Sequence, residues 1–140
     1  MFLRMSKQID LLPDDLDFVL KGQAAARWLG LTSINPPLEI YVTKPVMRPK
    51  IRYEIVDSLE NFNTVYCKKG RCLAPEDLII WLLKNERGYN PQVLPESVAM
   101  YQAECENGRF VEENLLALVE REGLQEKYAY ISEIAETFIQ

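Results

Sequence analysis

Apolar positions change their spacing several times along the chain, and each change predicts an element. Ala24, Ala25 and Ala26, with Trp28 and Leu29, read as a helix whose small residues allow close approach to a sheet, and Gly30 stops it. Asn35, Pro36 and Pro37 keep that helix from resuming, and Leu38 to Thr43 leaves the turn as a strand. Within 46–58, Ile51, Tyr53 and Ile55 share one parity while Arg52 and Glu54 take the other, the period of a half-buried strand. Thr64 to Cys67 and Arg71 to Leu73 flank Lys69-Gly70 as a hairpin.

Beyond Leu73 the spacing turns helical. Pro75-Glu76-Asp77 opens a helix with Leu78, Ile79, Trp81, Leu82 and Leu83 on its buried face and Gly88 at its end. Pro95-Glu96-Ser97 starts the next, which stops at Asn107-Gly108. A third covers 110–122 with Leu115, Leu116, Leu118 and Val119 apolar, and the last begins near Gln125 and carries Tyr128, Ile131, Ile134 and Phe138. Near the N-terminus, Pro13 followed by Asp14 and Asp15 suits the first turn of a short helix within 6–20. The expected architecture is α+β in a single domain, 1–140. Residues 1–73 form a small, mainly antiparallel sheet with a helix packed on it, and 74–140 form a helical lobe.

Composition adds limits. With 48% hydrophobic and 26% charged residues, the 140-residue chain has the make-up of an ordinary globular domain and requires no disulfide or metal staple. No apolar run approaches the roughly 20 residues of a membrane span, and MFLRMSKQ lacks the apolar stretch of a signal peptide, so a cytoplasmic location is expected. The net charge of −5 is unevenly distributed: 11 Lys/Arg against 8 Asp/Glu give +3 in 1–73, while 5 against 13 give −8 in 74–140. An acidic second half repels nucleic acid and suits a basic partner. The three cysteines, in a chain expected to stay in a reducing compartment, are expected as thiols, although a hairpin bridge between Cys67 and Cys72 is geometrically conceivable.

Chemistry is sparse. Without histidine there is no imidazole base for a nucleophilic triad, and neither GxGxxG nor GxxxxGK[ST] occurs. Phe18 to Gln23, followed by Glu39-Ile40-Tyr41, resembles the helix start and metal-binding strand of minimal nucleotidyltransferases. That family places two carboxylates on one strand face to hold the metals that bridge a triphosphate. Here Gln23 stands for the second glycine or serine and Tyr41 for the second acid, so this reading needs Glu39 with one of Asp10, Asp14, Asp15 or Asp17. Nucleic-acid binding would instead use Lys44, Arg48, Lys50, Arg52, Lys68, Lys69 and Arg71, though dispersed cations of this kind also guard strand edges.

A second likeness covers more of the chain. Ala26-Arg27-Trp28-Leu29-Gly30-Leu31-Thr32, Pro37 and Ile40-Tyr41-Val42-Thr43 resemble the C-terminal domain of AbiEi-type antitoxins of type IV abortive-infection toxin–antitoxin systems. Leu73-Ala74-Pro75-Glu76-Asp77-Leu78, 110–116 and Glu122-Gly123-Leu124 continue that resemblance, which spans about 21–135. Members carry a winged-helix DNA-binding domain that the roughly 20 residues before Gly22 are too few to form. The resemblance implies a noncatalytic, cofactor-free and metal-free interaction protein. Its protein partner would be a nucleotidyltransferase-type toxin or a separate DNA-binding subunit. Glu112, Glu113, Glu120 and Glu122 are the candidate contact surface.

Overall fold

The computed structural model describes residues 3–48, 51–85 and 90–138, so the expected helix stop at Gly88 and the basic candidate Lys50 lie outside the described residues. The fold is α+β: five strands in one sheet, a short N-terminal helix, a buried helix packed on the sheet and a lobe of four helices. The N-terminal helix α1 (Leu3–Asp10) precedes the segment where Pro13 pointed to one. Met5 and Ile9 on one side of it, and Leu12 just beyond its end, are buried, whereas Pro13, Asp14 and Asp15 form exposed turns.

Strand β1 (Val19–Leu20) follows, in a segment expected to be helical. Helix α2 (Gly22–Trp28) is buried from Gly22 to Arg27, and its three alanines are wholly inaccessible. A helix enclosed on every side needs side chains this small if neighbouring layers are to close on it. Strands β2 (Glu39–Val42), β3 (Arg52–Ile55), β4 (Thr64–Cys67) and β5 (Gly70–Leu73) complete the sheet in the order β3-β2-β1-β5-β4. The sheet is mixed: β1 runs antiparallel to β2 and β4 to β5, while β1–β5 and β2–β3 are parallel. The expectation of mainly antiparallel pairing missed both parallel ladders, because each joins strands separated by a longer stretch of chain, where pairing is set by the tertiary fold rather than by a local hairpin turn.

The lobe consists of α3 (Pro75–Lys84), α4 (Val93–Glu106), α5 (Glu112–Arg121) and α6 (Gln125–Ala135), followed by one 3-10 turn, Glu136–Phe138. None of the described helices is long and apolar enough to cross a membrane. One cluster of buried side chains runs from Met5 through the central strands to Ala135. Two expected apolar faces are only partly covered. On β3, Tyr53 and Ile55 remain 38% and 52% exposed, and on α5 Leu115 and Val119 are buried while Leu116 is 44% exposed. Cys67 lies opposite Gly70 and Cys72 opposite Val65, so the two thiols do not face each other across the hairpin, and both are free. Burial pushes the Cys67 thiol up to about 12 and Cys72 well above its ordinary value, which keeps both protonated and unreactive.

Gly70 opens β5 beneath Phe18: a methyl there would lie 2.7 Å from the ring carbons. Phe18 is itself buried against the sheet and has no room to retreat. Gly70→Ala is therefore expected to lower stability by about 2–3 kcal/mol in urea denaturation. At Gly108 (φ +80) an added methyl meets nothing, so Gly108→Ala should cost only the left-handed backbone penalty, about 1 kcal/mol. Equal losses at the two positions would contradict the packing argument.

Candidate functional site

The chain turns from β1 into α2 through Lys21-Gly22-Gln23, and each of these residues is buried. The backbone N–H of Lys21 donates to the Glu39 carbonyl at 3.0 Å, extending the β1–β2 pairing by one step. Gly22 then takes φ +60, and a side chain on it would overlap Glu39 Oε1. Only glycine meets both demands, so the helix start comes into contact with the β2 carboxylate. Gln23 points the other way: its Nε2 donates to the Asn90 carbonyl at 2.9 Å and its Oε1 accepts from the Asn90 N–H at 3.0 Å. The amide thus imitates a strand partner and pins the chain just before α4.

Lys21 supplies the charge at the centre. Its Nζ donates to Glu54 Oε1 at 2.9 Å and lies 3.7 Å from Glu39 Oε2. It also sits 4.7 Å from the Tyr41 ring centroid and 5.3 Å from that of Trp81. The Trp81 indole N–H donates to the Tyr41 hydroxyl at 3.0 Å, and Phe62 stacks on Tyr41 with ring centroids 4.5 Å apart. Two carboxylates and two aromatic faces thus enclose one ammonium whose side chain is 8% exposed. Burial raises the Glu39 carboxyl above the ordinary 4.5, opposed chiefly by the Lys21 charge and then by Arg52. The Tyr41 hydroxyl is raised too, first by burial.

Of the acids proposed to join Glu39 in a metal site, the ion pairs take three elsewhere. Asp10 pairs with Lys68 at 2.8 Å, Asp14 with Lys69 at 3.0 Å and Asp17 with Arg71 at 3.2 Å. Asp15 sits in the same exposed turn. The carboxylate that does approach Glu39 is Glu54, which sequence reasoning did not single out. Its signal was its place on the polar parity of β3, opposite Tyr41 in the parallel register. Lys21 was missed for a different reason: a lysine beside a helix start reads as solvated until the strand pairing is known.

The same ion pairs divide the basic candidates. Lys68, Lys69 and Arg71 are engaged by the N-terminal aspartates, and Lys69 also donates to the Leu12 carbonyl at 2.6 Å. Lys44, Arg48 and Arg52 are exposed. Arg48 joins Arg4 and Lys7 on the rim of an open groove of about 820 Å³ over Pro36 and Ile51. The four acidic candidates also separate. Glu113 and Glu120 are exposed, whereas the half-buried Glu112 accepts from the Tyr128 hydroxyl at 3.2 Å. Glu122 accepts from Lys84 and from Arg121, and the Lys84 contact holds its carboxyl below the usual range.

No protein-family model, curated protein or solved structure matches the chain.

Lys21→Met tests the charge balance. Because folding raises the Glu39 carboxyl, its contribution to stability falls as pH rises from about 4.5 through its folded value. Deleting the Lys21 charge removes the main opposing influence and leaves the carboxylate buried with less compensation. The variant is expected to lose about 3 kcal/mol near neutral pH. Urea titrations should show the gap to wild type narrowing as pH falls toward 4.5. A gap independent of pH would overturn the assignment.

Proposed function

We propose that the chain is a noncatalytic, antitoxin-like interaction protein, acting on a nucleotidyltransferase-type toxin or docking another protein partner. The observation that carries this reading is the Lys21 ammonium held between Glu39 and Glu54. Metal-dependent nucleotidyl transfer needs an exchangeable divalent cation between carboxylates, one that contacts the triphosphate as well. A tethered ammonium supplies one charge, has no open coordination position and turns its remaining faces to aromatic rings. The resemblance to AbiEi-type antitoxins points the same way.

The outer face of α5 is the contact surface best suited to such a role. Glu113, Leu116 and Glu120 follow one another at helical spacing and are all exposed, an apolar side chain between two acids. Glu112 and Glu122 belong to internal hydrogen bonds and are removed from the contact set. A second reading, a degenerate nucleotidyltransferase-like domain, is favoured by the Gly22 approach to Glu39 at the helix start, and it is compatible with the first.

Calorimetry with magnesium and each nucleoside triphosphate should register no binding heat at millimolar ligand, whereas a saturable heat would restore the catalytic alternative. The double variant Glu113→Lys, Glu120→Lys should still fold, losing about 1 kcal/mol because Glu113 sits in the first turn of α5. Its affinity for the product of the neighbouring reading frame should drop about tenfold or more, equivalent to about 1.4 kcal/mol. Unchanged affinity would remove α5 as the docking face.

A further inference from the structure

Strand β3 forms one edge of the sheet, and among the described residues it pairs with β2 alone. The Arg52 N–H donates to the Leu38 carbonyl at 2.9 Å and the Val56 N–H to the Val42 carbonyl at 2.8 Å. In a parallel ladder the residues between such contacts face the other way, so Tyr53 and Ile55 turn their N–H and C=O groups outward. The same two residues carry the apolar side chains that stay uncovered, 38% and 52% exposed. At the opposite edge of the sheet, the Tyr66 carbonyl of β4 already accepts from the Trp28 indole at 3.2 Å.

We infer that β3 pairs with β3 of a second copy of this chain, antiparallel about a two-fold axis at Tyr53, to give one continuous sheet across a homodimer. The strand is complementary to itself. Read from either end, Ile51-Arg52-Tyr53-Glu54-Ile55 gives the same order of apolar and charged positions with the signs exchanged. Pairing about Tyr53 places each Arg52 opposite Glu54 of the other copy, Tyr53 opposite Tyr53, and Ile51 opposite Ile55. Arg52 and Glu54 fall at the non-hydrogen-bonded positions, where opposing side chains approach most closely.

The outward groups require Tyr53 and Ile55 to occupy the hydrogen-bonded positions, so the register can shift only in steps that keep this parity. The neighbouring registers set Arg52 against Arg52 or Glu54 against Glu54, and like charges directly opposed disfavour both. Of these three registers, the one about Tyr53 is the one that opposes unlike charges at both flanking positions. A residue that contacts its own counterpart across the axis is the mark of an isologous interface, which closes at two copies. Glu54 keeps its contact with Lys21 in this arrangement: it binds through Oε1 and its side chain is 58% exposed, so it can serve the second copy as well. The inference stands apart from the functional reading above, since it depends on β3 alone.

Sedimentation velocity over rising chain concentration, with isotope-filtered NOE measurements on a mixed labelled and unlabelled sample, tests the pairing in the wild-type protein. A doubling of mass is expected, with an intermolecular contact between the α-protons of Arg52 and Glu54. A mass that stays at one chain throughout overturns the inference, as does a dimer lacking that contact. Arg52→Glu and Glu54→Arg each set like charges face to face twice per dimer, and each homodimer should weaken at least about tenfold. Mixing the two variants restores opposite charges at both positions, so a heterodimer should form where neither homodimer does. Homodimers of Arg52→Glu as tight as wild type would reject the register, whether or not Glu54→Arg folds.

Discussion

A charged ammonium removed from water is tolerable only where the surroundings replace its hydration, and the arrangement around Lys21 meets that condition with parts drawn from across the fold. Lys21 stands between β1 and α2, Glu39 comes from β2, Glu54 from β3 and Trp81 from α3. Its main chain is tied to the same β2 residue through the Glu39 carbonyl, so side chain and backbone are positioned together. Each carboxylate needs the cation as much as the cation needs them, and Glu39 most of all because it is the more enclosed of the two. The aromatic faces complete the shell without adding charge. Sheet and helical lobe thus meet at one electrostatic point, and the glycine beside it lets them come that close.

What was legible in the sequence follows from how local each signal is. The end of α2 at Gly30, the strand of Glu39–Val42, the hairpin and the starts of α3, α5 and α6 were all marked by residues within a few positions. Strand β1 was not, since two residues have no period and their partners lie near 40 and 71. The alternation along β3 was read correctly as a strand. Which side of it is covered depends on what packs there, and an edge position leaves Tyr53 and Ile55 open. Of the site, Gly22, Gln23 and Glu39 drew attention through their likeness to the helix start and metal-binding strand of minimal nucleotidyltransferases. Lys21 and Glu54 did not, because a buried lysine and a carboxylate 33 residues away become partners only once β2 and β3 lie parallel.

Charge distribution along the chain also looks different once folded. The surplus of cations in 1–73 suggests a basic surface, yet three of them are answered by aspartates just before β1. Exposed pairs of this sort add little stability individually, about 0–1 kcal/mol each. Their effect is on what the surface presents: the hairpin is neutralised, while the acids of the lobe meet few cations, since 74–140 holds only 5 Lys/Arg. Glu122 and Glu104 take up Lys84 and Arg109, and Glu113 and Glu120 stay in water. The long-range field of the lobe is therefore negative, the sign that draws in a basic protein and turns nucleic acid away.

The charge count at the helix start bears on function more directly than the identity of any one residue. Glu39 and Glu54 bring two negative charges, Lys21 returns one at contact distance, and Arg52 lowers the Glu39 carboxyl from nearby. A pair of carboxylates balanced in this way has little net field left to concentrate divalent ions. A triphosphate arriving without them would meet two acids and a lysine already committed to both. A two-carboxylate metal site at this position would thus take more than a second acid at Tyr41, since the ammonium would also have to leave a shell that the fold assembles around it. Because β2, β3 and α3 all contribute to that shell, removing the lysine would loosen the structure before it opened a metal site.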